Sequence, residues 1–291
     1  GDVYKRQADG GKSEFSGNTS AIQLNNADKT ISMTAQNQGE ITINDSINGA
    51  QAYTLALTGD TTGKIHINND IINANISLDN TNLYLGRENA LDNSLSLSLN
   101  SGSIYLNNNS IGSIHIPILN LNGTTNLSVD VDLQNETMDR ITTDNYNIST
   151  NAYLNVNNLT LLSTTEKENV KILFADAPLA NNVEYTGDSP VAYKGTNTIY
   201  SPIYKYDVNY GVDETDKLGY FFFNRAASGS GENGNISDSY NPAVLAPSVA
   251  TQAGAYTTQL QTFNYAFQHS DNFMNLSLIH ISEPTRPEPI S

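Results

Sequence analysis

Two to four aliphatic residues at alternate positions, closed by Asn, Asp or Gly, recur from about Ala21 to Val156, and each such unit is too short to bury its own apolar face. Ile22-Gln-Leu24-Asn-Asn, Ile41-Thr-Ile43-Asn-Asp, Ile65-His-Ile67-Asn-Asn, Leu83-Tyr-Leu85-Gly, Ile104-Tyr-Leu106-Asn-Asn and Leu154-Asn-Val156-Asn-Asn are examples. Alternation places every aliphatic side chain on one side of a strand. Shelter for that side must come from neighbouring copies. Short strands stacked at about 4.8 Å form a solenoid with an Ile/Leu/Val interior and Asn-rich corners lying above one another. At about 20 residues per turn, the stretch from about Thr19 to Ser163 would hold about seven turns. The expected fold is therefore all-β, a right-handed parallel β-solenoid (β-helix).

Downstream the texture changes. Val170-Lys-Ile-Leu-Phe-Ala175 is a more hydrophobic strand, and tyrosine becomes frequent. Tyr200, Tyr204, Tyr206, Tyr210 and the run Tyr220, Phe221, Phe222, Phe223 predict wider, aromatic-filled final turns over 164–225 that cap the stack. Residues 226–240, with Ser228-Gly-Ser-Gly231, read as a flexible linker. Asn241-Pro242 then starts a helix over 241–275, with Asn as N-cap and Pro at the first position; Pro247-Ser248 is an equally valid start. Its apolar stripe is Val249, Ala253, Tyr256, Leu260, Phe263, Phe267 and Met274, at spacings of three, four and seven. No full charge lies between Ser248 and Ser270. An uncharged polar opposite face suits the lumen of a barrel. At about 1.5 Å per residue, the helix would reach about 50 Å, enough to cross an outer-membrane barrel.

The two ends share one origin at the level of DNA. Asp2-Val-Tyr-Lys-Arg-Gln7 is encoded by GAT GTG TAT AAG AGA CAG, whose reverse complement reads Leu276-Ser-Leu-Ile-His-Ile281. Residues 1–7 and 276–291 are accordingly expected to be translated sequencing adaptor and to lie outside the fold, with the natural protein continuing at both ends. Cysteine is absent, as suits a chain exported before it folds, although many cytosolic domains also lack it. The net charge is −16, which repels phosphate backbones, so nucleic acid is not an expected partner. No stretch approaches the roughly 20 apolar residues of a membrane helix.

The order solenoid, aromatic cap, Gly/Ser linker and uncharged helix resembles the junction region of an autotransporter of the type V secretion pathway. Val129-Asp-Val-Asp-Leu133, Met138-Asp-Arg-Ile141, Leu154-Asn-Val-Asn-Asn-Leu159, Ile172-Leu-Phe-Ala-Asp176, Tyr200-Ser-Pro-Ile-Tyr-Lys-Tyr206 and Asn241-Pro-Ala-Val-Leu245 are similar to the passenger ends of large gut-bacterial autotransporters. The resemblance spans about Asn120 to Met274. It implies a passenger carried through the periplasm and outer membrane to the cell surface by its own C-terminal barrel, which these residues do not contain. That barrel is the expected partner of the helix. A host glycan or protein, or neighbouring passengers, are the expected partners of the solenoid, which would act in adhesion through repeated weak contacts. The alternative is the stalk of a secreted enzyme, protease or carbohydrate-active, whose catalytic part lies upstream of Phe15.

Candidate chemistry is sparse, and neither an enzyme activity nor a cofactor nor a metal is expected. Asp130 and Asp132 stand two apart on a strand, their carboxylates roughly 6 to 7 Å apart, a separation an acid/base pair could use. Their alternation with Val129, Val131 and Leu133 instead predicts an outward, solvated face. His66 and His115 are central in Ile65-His-Ile67 and Ile114-His-Ile116, so both should point away from the core, and they would stack only if their turns align. Gly-x-Ser-x-Gly, a phosphate loop and the calcium nonapeptide are all missing from the sequence. Tyr220 to Phe223 read as cap core rather than as a ligand platform.

Overall fold

The computed structural model describes residues 3–15, 22–25, 29–165, 167–176, 179, 190–201 and 203–225. The linker 226–240 and the helix 241–275, with the stripe Val249, Ala253, Tyr256, Leu260, Phe263 and Phe267, fall outside the described residues. All that follows belongs to one compact unit within Gly1–Ser239.

Two parallel sheets form the two long walls of a β-solenoid of about 6 turns. The first wall runs β1 (Val3–Asp9), β4 (Thr30–Gln36), β6 (Ile47–Gly59), β8 (Ile71–Asp79), β10 (Ser96–Leu99), β12 (Ser113–Leu121), β15 (Arg140–Ile148), with β3 (Ile22–Leu24) also on β6. The second runs β2 (Lys12–Phe15), β5 (Glu40–Ile43), β7 (Lys64–Ile67), β9 (Thr81–Leu85), β11 (Gly102–Tyr105), β13 (Thr124–Asp132), β16 (Tyr153–Ser163), β18 (Val191–Tyr193), with β14 (Thr137–Met138) beside β13. From β4 to β13 successive strands alternate between walls, so each coil there contributes one rung to each.

Like residues pair with like. On the second wall Ile41 faces Ile65, Ile65 faces Leu83, Leu83 faces Ile104, Ile104 faces Leu127 and Leu127 faces Val156. Every member of that column is 0% exposed. Opposite, Leu55, Ile76, Leu97 and Leu119 make an equivalent column. Each buried aliphatic side chain contributes about 1.5–3 kcal/mol, and none could do so without the rungs above and below.

Coil length is less regular than the sequence suggests. It ranges from 18 residues (65 to 83) to 37 (154 to 191), so fewer turns fit than the seven expected. The surplus goes into corners and excursions. The 29-residue coil from Leu127 to Val156 holds β14, which folds back antiparallel on β13 through the turn at Glu136, where φ is +56°. Corners use asparagine for two physical reasons. Asn37, Asn73, Asn80, Asn109 and Asn151 sit at positive φ, which asparagine tolerates better than other side chains. Elsewhere asparagine amides stack as ladders: Asn122 donates to Asn100 at 3.0 Å, Asn147 to Asn120 at 2.7 Å and Asn68 to Asn44 at 2.8 Å.

Val3–Gln7, expected to lie outside the fold, are placed in β1, in register with Thr30–Thr34 of β4. A ladder is made of backbone groups, so an end rung accepts almost any extended string.

The expected aromatic-filled final turns take the form of a separate sheet. Among the described strands after β16, only β18 continues the solenoid. β17 (Asn169–Ala175), β19 (Thr198–Tyr200), β20 (Lys205–Val212) and β21 (Gly219–Asn224) form an antiparallel sheet in the order β17-β21-β20-β19. The bulky aromatics explain the change. Phe221 meets Phe174, Tyr193 and Tyr210 at centroid distances of 5.4, 5.3 and 5.2 Å, a cluster too wide for a column spaced by one strand.

Candidate functional site

Among the cap aromatics, Tyr206, Phe221 and Phe223 are buried, while Tyr204, Tyr220 and Phe222 are half-buried. Tyr206 donates its hydroxyl to Thr165 O at 2.9 Å and so ties β20 to the end of β16's coil. Lys171 lies 3.8 Å over the Tyr220 ring, and Arg225 lies 4.6 Å over Tyr204. These are packing contacts that seat the cap.

Asp130 does not face solvent as alternation predicts; it is 0% exposed. The register of β13 against β16 shifts between Leu127 and Ser128, and the burial alternation breaks there, leaving Leu127 through Val131 all buried. The carboxylate has backbone work. Its Oδ2 accepts the N–H groups of Asn109 at 2.6 Å and Ser110 at 3.2 Å. Asp139, also 0% exposed, accepts Gly112 N–H at 2.9 Å and Asp130 N–H at 2.7 Å. Together the two carboxylates hold the corner 109–112 by its backbone amides. Asp132, the last residue of β13, turns to the following loop, accepting Asn135 N–H at 3.0 Å and the hydroxyl of Ser163. Those contacts, against the cost of its partial burial, hold its carboxyl below the usual range. The Asp130/Asp132 pair is therefore divided between two structural turns.

The histidines are on different walls. His115 is on β12 and His66 on β7, so they do not stack with each other. His115 is exposed, with its ring 3.6 Å from Asp144 and 3.3 Å from the Thr142 hydroxyl. His66 instead begins a ring column. It stacks on Tyr84 at 4.7 Å and 14°, and Tyr84 stacks on Tyr105 at 4.2 Å and 5°. The ladder register makes this possible, pairing His66 with Tyr84 and Tyr84 with Tyr105 on the outer side of the second wall.

The column is uncharged. Burial pushes the His66 imidazole below its ordinary value; Glu40, 3.6 Å away, pulls it upward but less strongly. At neutral pH that pair is consequently a contact with a neutral ring, not a salt bridge. The Tyr84 hydroxyl is pushed up to about 12, by burial first and by Tyr105 second. A groove of about 410 Å³ runs along the rings, with Asn68, Gly86, Asn107 and Asn108 on its other side. Sequence reading missed this site, although its signal was present. His66, Tyr84 and Tyr105 are each the middle residue of an aliphatic-X-aliphatic triplet, the position that turns outward.

Among the described residues no group of three or more His, Cys, Asp or Glu side chains is arranged to hold a metal ion. No described helix is long and apolar enough to cross a membrane. No protein-family model, no curated protein and no solved structure matches this chain.

Proposed function

We propose that this chain is part of the passenger of a cell-surface autotransporter, a rod that presents repeated polar faces for adhesion and is carried out through its own C-terminal outer-membrane barrel. The observation that supports this best is the construction of the walls. Their inner sides are continuous aliphatic columns, and their outer sides are in-register rows of Asn, Ser, Thr and Tyr, such as Asn82, Ser103 and Asn126. A rod of this kind needs no globular core. It can therefore be extended coil by coil, each new coil docking on the last.

The four-stranded cap fits the same reading. An antiparallel sheet with its own aromatic core gives the terminal coil a finished surface to stack against, and Arg140 of β15 pairs with Asp176 after β17 at 2.7 Å. Partners of the outer faces would be glycans, proteins or neighbouring rods, engaged through many weak contacts that repetition converts into avidity.

The test is to express the uninterrupted gene in a bacterium with an outer membrane and to shave intact cells with protease. Fragments containing β5 to β16 should be released from whole cells. Their retention until the cells are lysed would refute surface display. Cell-to-cell aggregation or binding to host surfaces, lost when the coils β5 to β13 are deleted in frame, should accompany export.

A further inference from the structure

The column of rings stops where the ladder continues. Tyr105 is in register with Ser128, which is 5% exposed and carries no ring, so the next rung offers no fourth aromatic. At about 4.8 Å per rung, one flat ring fits beyond Tyr105. Beside the rings, the corner column reads Asn44, Asn68, Gly86, Asn107, following the pairs Ile43–Ile67, Ile67–Leu85 and Tyr84–Tyr105. Asn68 donates to Asn44, but at Gly86 the amide ladder lacks a rung. Glycine is not demanded there by a left-handed backbone. A Cβ on Gly86 would stand 2.4 Å from Asn68 Oδ1, so the missing side chain makes room for the Asn68 amide.

The groove between this corner and the rings, about 410 Å³, falls within the roughly 300–1,000 Å³ typical of small-molecule sites. One side is the ring column that ends in Tyr105, and the other includes side-chain amides. No Asp, Glu, Lys or Arg is among its lining residues. Ring faces carry partial negative charge and attract C–H groups, while amides both donate to and accept from hydroxyls. A chain with net charge −16 also repels acidic polymers.

We propose that this groove binds a neutral pyranose of a glycan, whose C–H face stacks on Tyr105 and whose hydroxyls bond to Asn68, Asn107 and Asn108. The inference rests on the reading of the rod as an outward interaction surface and names the ligand class of one wall. A single shallow site of this kind should bind in the range of about 1 mM, and repetition along the rod or between rods would raise the effective strength.

The experiment is titration of the purified, isotope-labelled chain with methyl galactoside, methyl glucoside, methyl mannoside and methyl N-acetylglucosaminide, alongside glucuronate, followed by amide chemical shifts. At least one neutral glycoside should move the Gly86, Asn107 and Asn108 signals. Tyr105→Ala, which removes the stacking face, and Asn107→Ala, which removes an amide partner, should each weaken binding at least about tenfold with the unfolding midpoint little changed. Tyr105→Phe should keep it. Absence of any shift with about 50 mM of every neutral glycoside overturns the proposal. So does equal binding by a folded Tyr105→Ala protein, or preference for glucuronate. Because this assay needs no export, its failure leaves surface display standing, and failed export leaves the groove standing.

Discussion

Replacing Asp139 by alanine isolates the contribution of the buried carboxylate pair. In the folded chain Asp139 accepts two backbone N–H groups, Gly112 at 2.9 Å and Asp130 at 2.7 Å, at 0% exposure. Hydrogen bonds to a charged acceptor contribute about 1.5–3 kcal/mol each, so alanine should cost about 3–6 kcal/mol. Asparagine keeps one carbonyl acceptor and should cost about half of that. A solenoid is coupled mainly to its nearest neighbours, so the loss should appear as local opening. Native-state amide exchange is the suitable assay. Exchange at Gly112, Asn109, Ser110 and Asp130 should accelerate at least about 100-fold in Asp139→Ala, since every 1.4 kcal/mol is tenfold. Amides of β7 and β9 should change little. Less than about threefold acceleration at Gly112 and Asp130, or equal acceleration in β7 and β9, would refute the assignment.

Other expectations follow the same logic. The Asp60 carboxyl is held at about 2, against an ordinary 3.8, by N–H bonds from Asn37, Thr62 and Gly63 and the Thr62 hydroxyl. Its contribution is therefore complete above pH 3.8 and lost as pH falls toward 2, so Gly63 exchange should rise over that interval, and Asp60→Asn should flatten the profile. Phe221→Ala, at the centre of the cap cluster, should cost about 3–5 kcal/mol, read by urea unfolding with near-ultraviolet circular dichroism. Gly63→Ala would place a Cβ 1.9 Å from Ala35 O, so the coil must shift, with an expected loss of about 1–3 kcal/mol in the same unfolding measurement. Deleting residues 166–224 should leave the coils slow to refold or aggregated, because the last coil then loses the surface it stacks on; equal refolding rates with and without the cap would contradict that role.

The walls were legible because their code is local. Ile41-Thr-Ile43 and Ile65-His-Ile67 state which side chains turn in, and the structure pairs those two phrases directly. Asn-rich closures likewise announce corners, as the Asn122–Asn100 amide bond bears out. Asp130 was misread for an instructive reason. Alternation assumes an unbroken strand, and the irregular register after Leu127 breaks it, a shift that depends on how β16 lies alongside. The cap was legible as aromatic but not as antiparallel, since strand direction is set by how β21 returns between β17 and β20.

Three phrases singled out in the sequence, around Asp130, Asp139 and Asp176, meet near the end of the coil. Asp130 and Asp139 share the 109–112 corner, and Asp176 holds Arg140, the neighbour of Asp139. The sequence alone pointed to short aliphatic units stacking into a parallel rod, because one short alternating unit repeated coil after coil buries its apolar side against its own copies. Which outward residues become neighbours was decided only by the tertiary register. Rings 18 and 21 residues apart, His66 to Tyr84 and Tyr84 to Tyr105, form one column because two successive coils differ in length yet bring the same strand position back to the same wall.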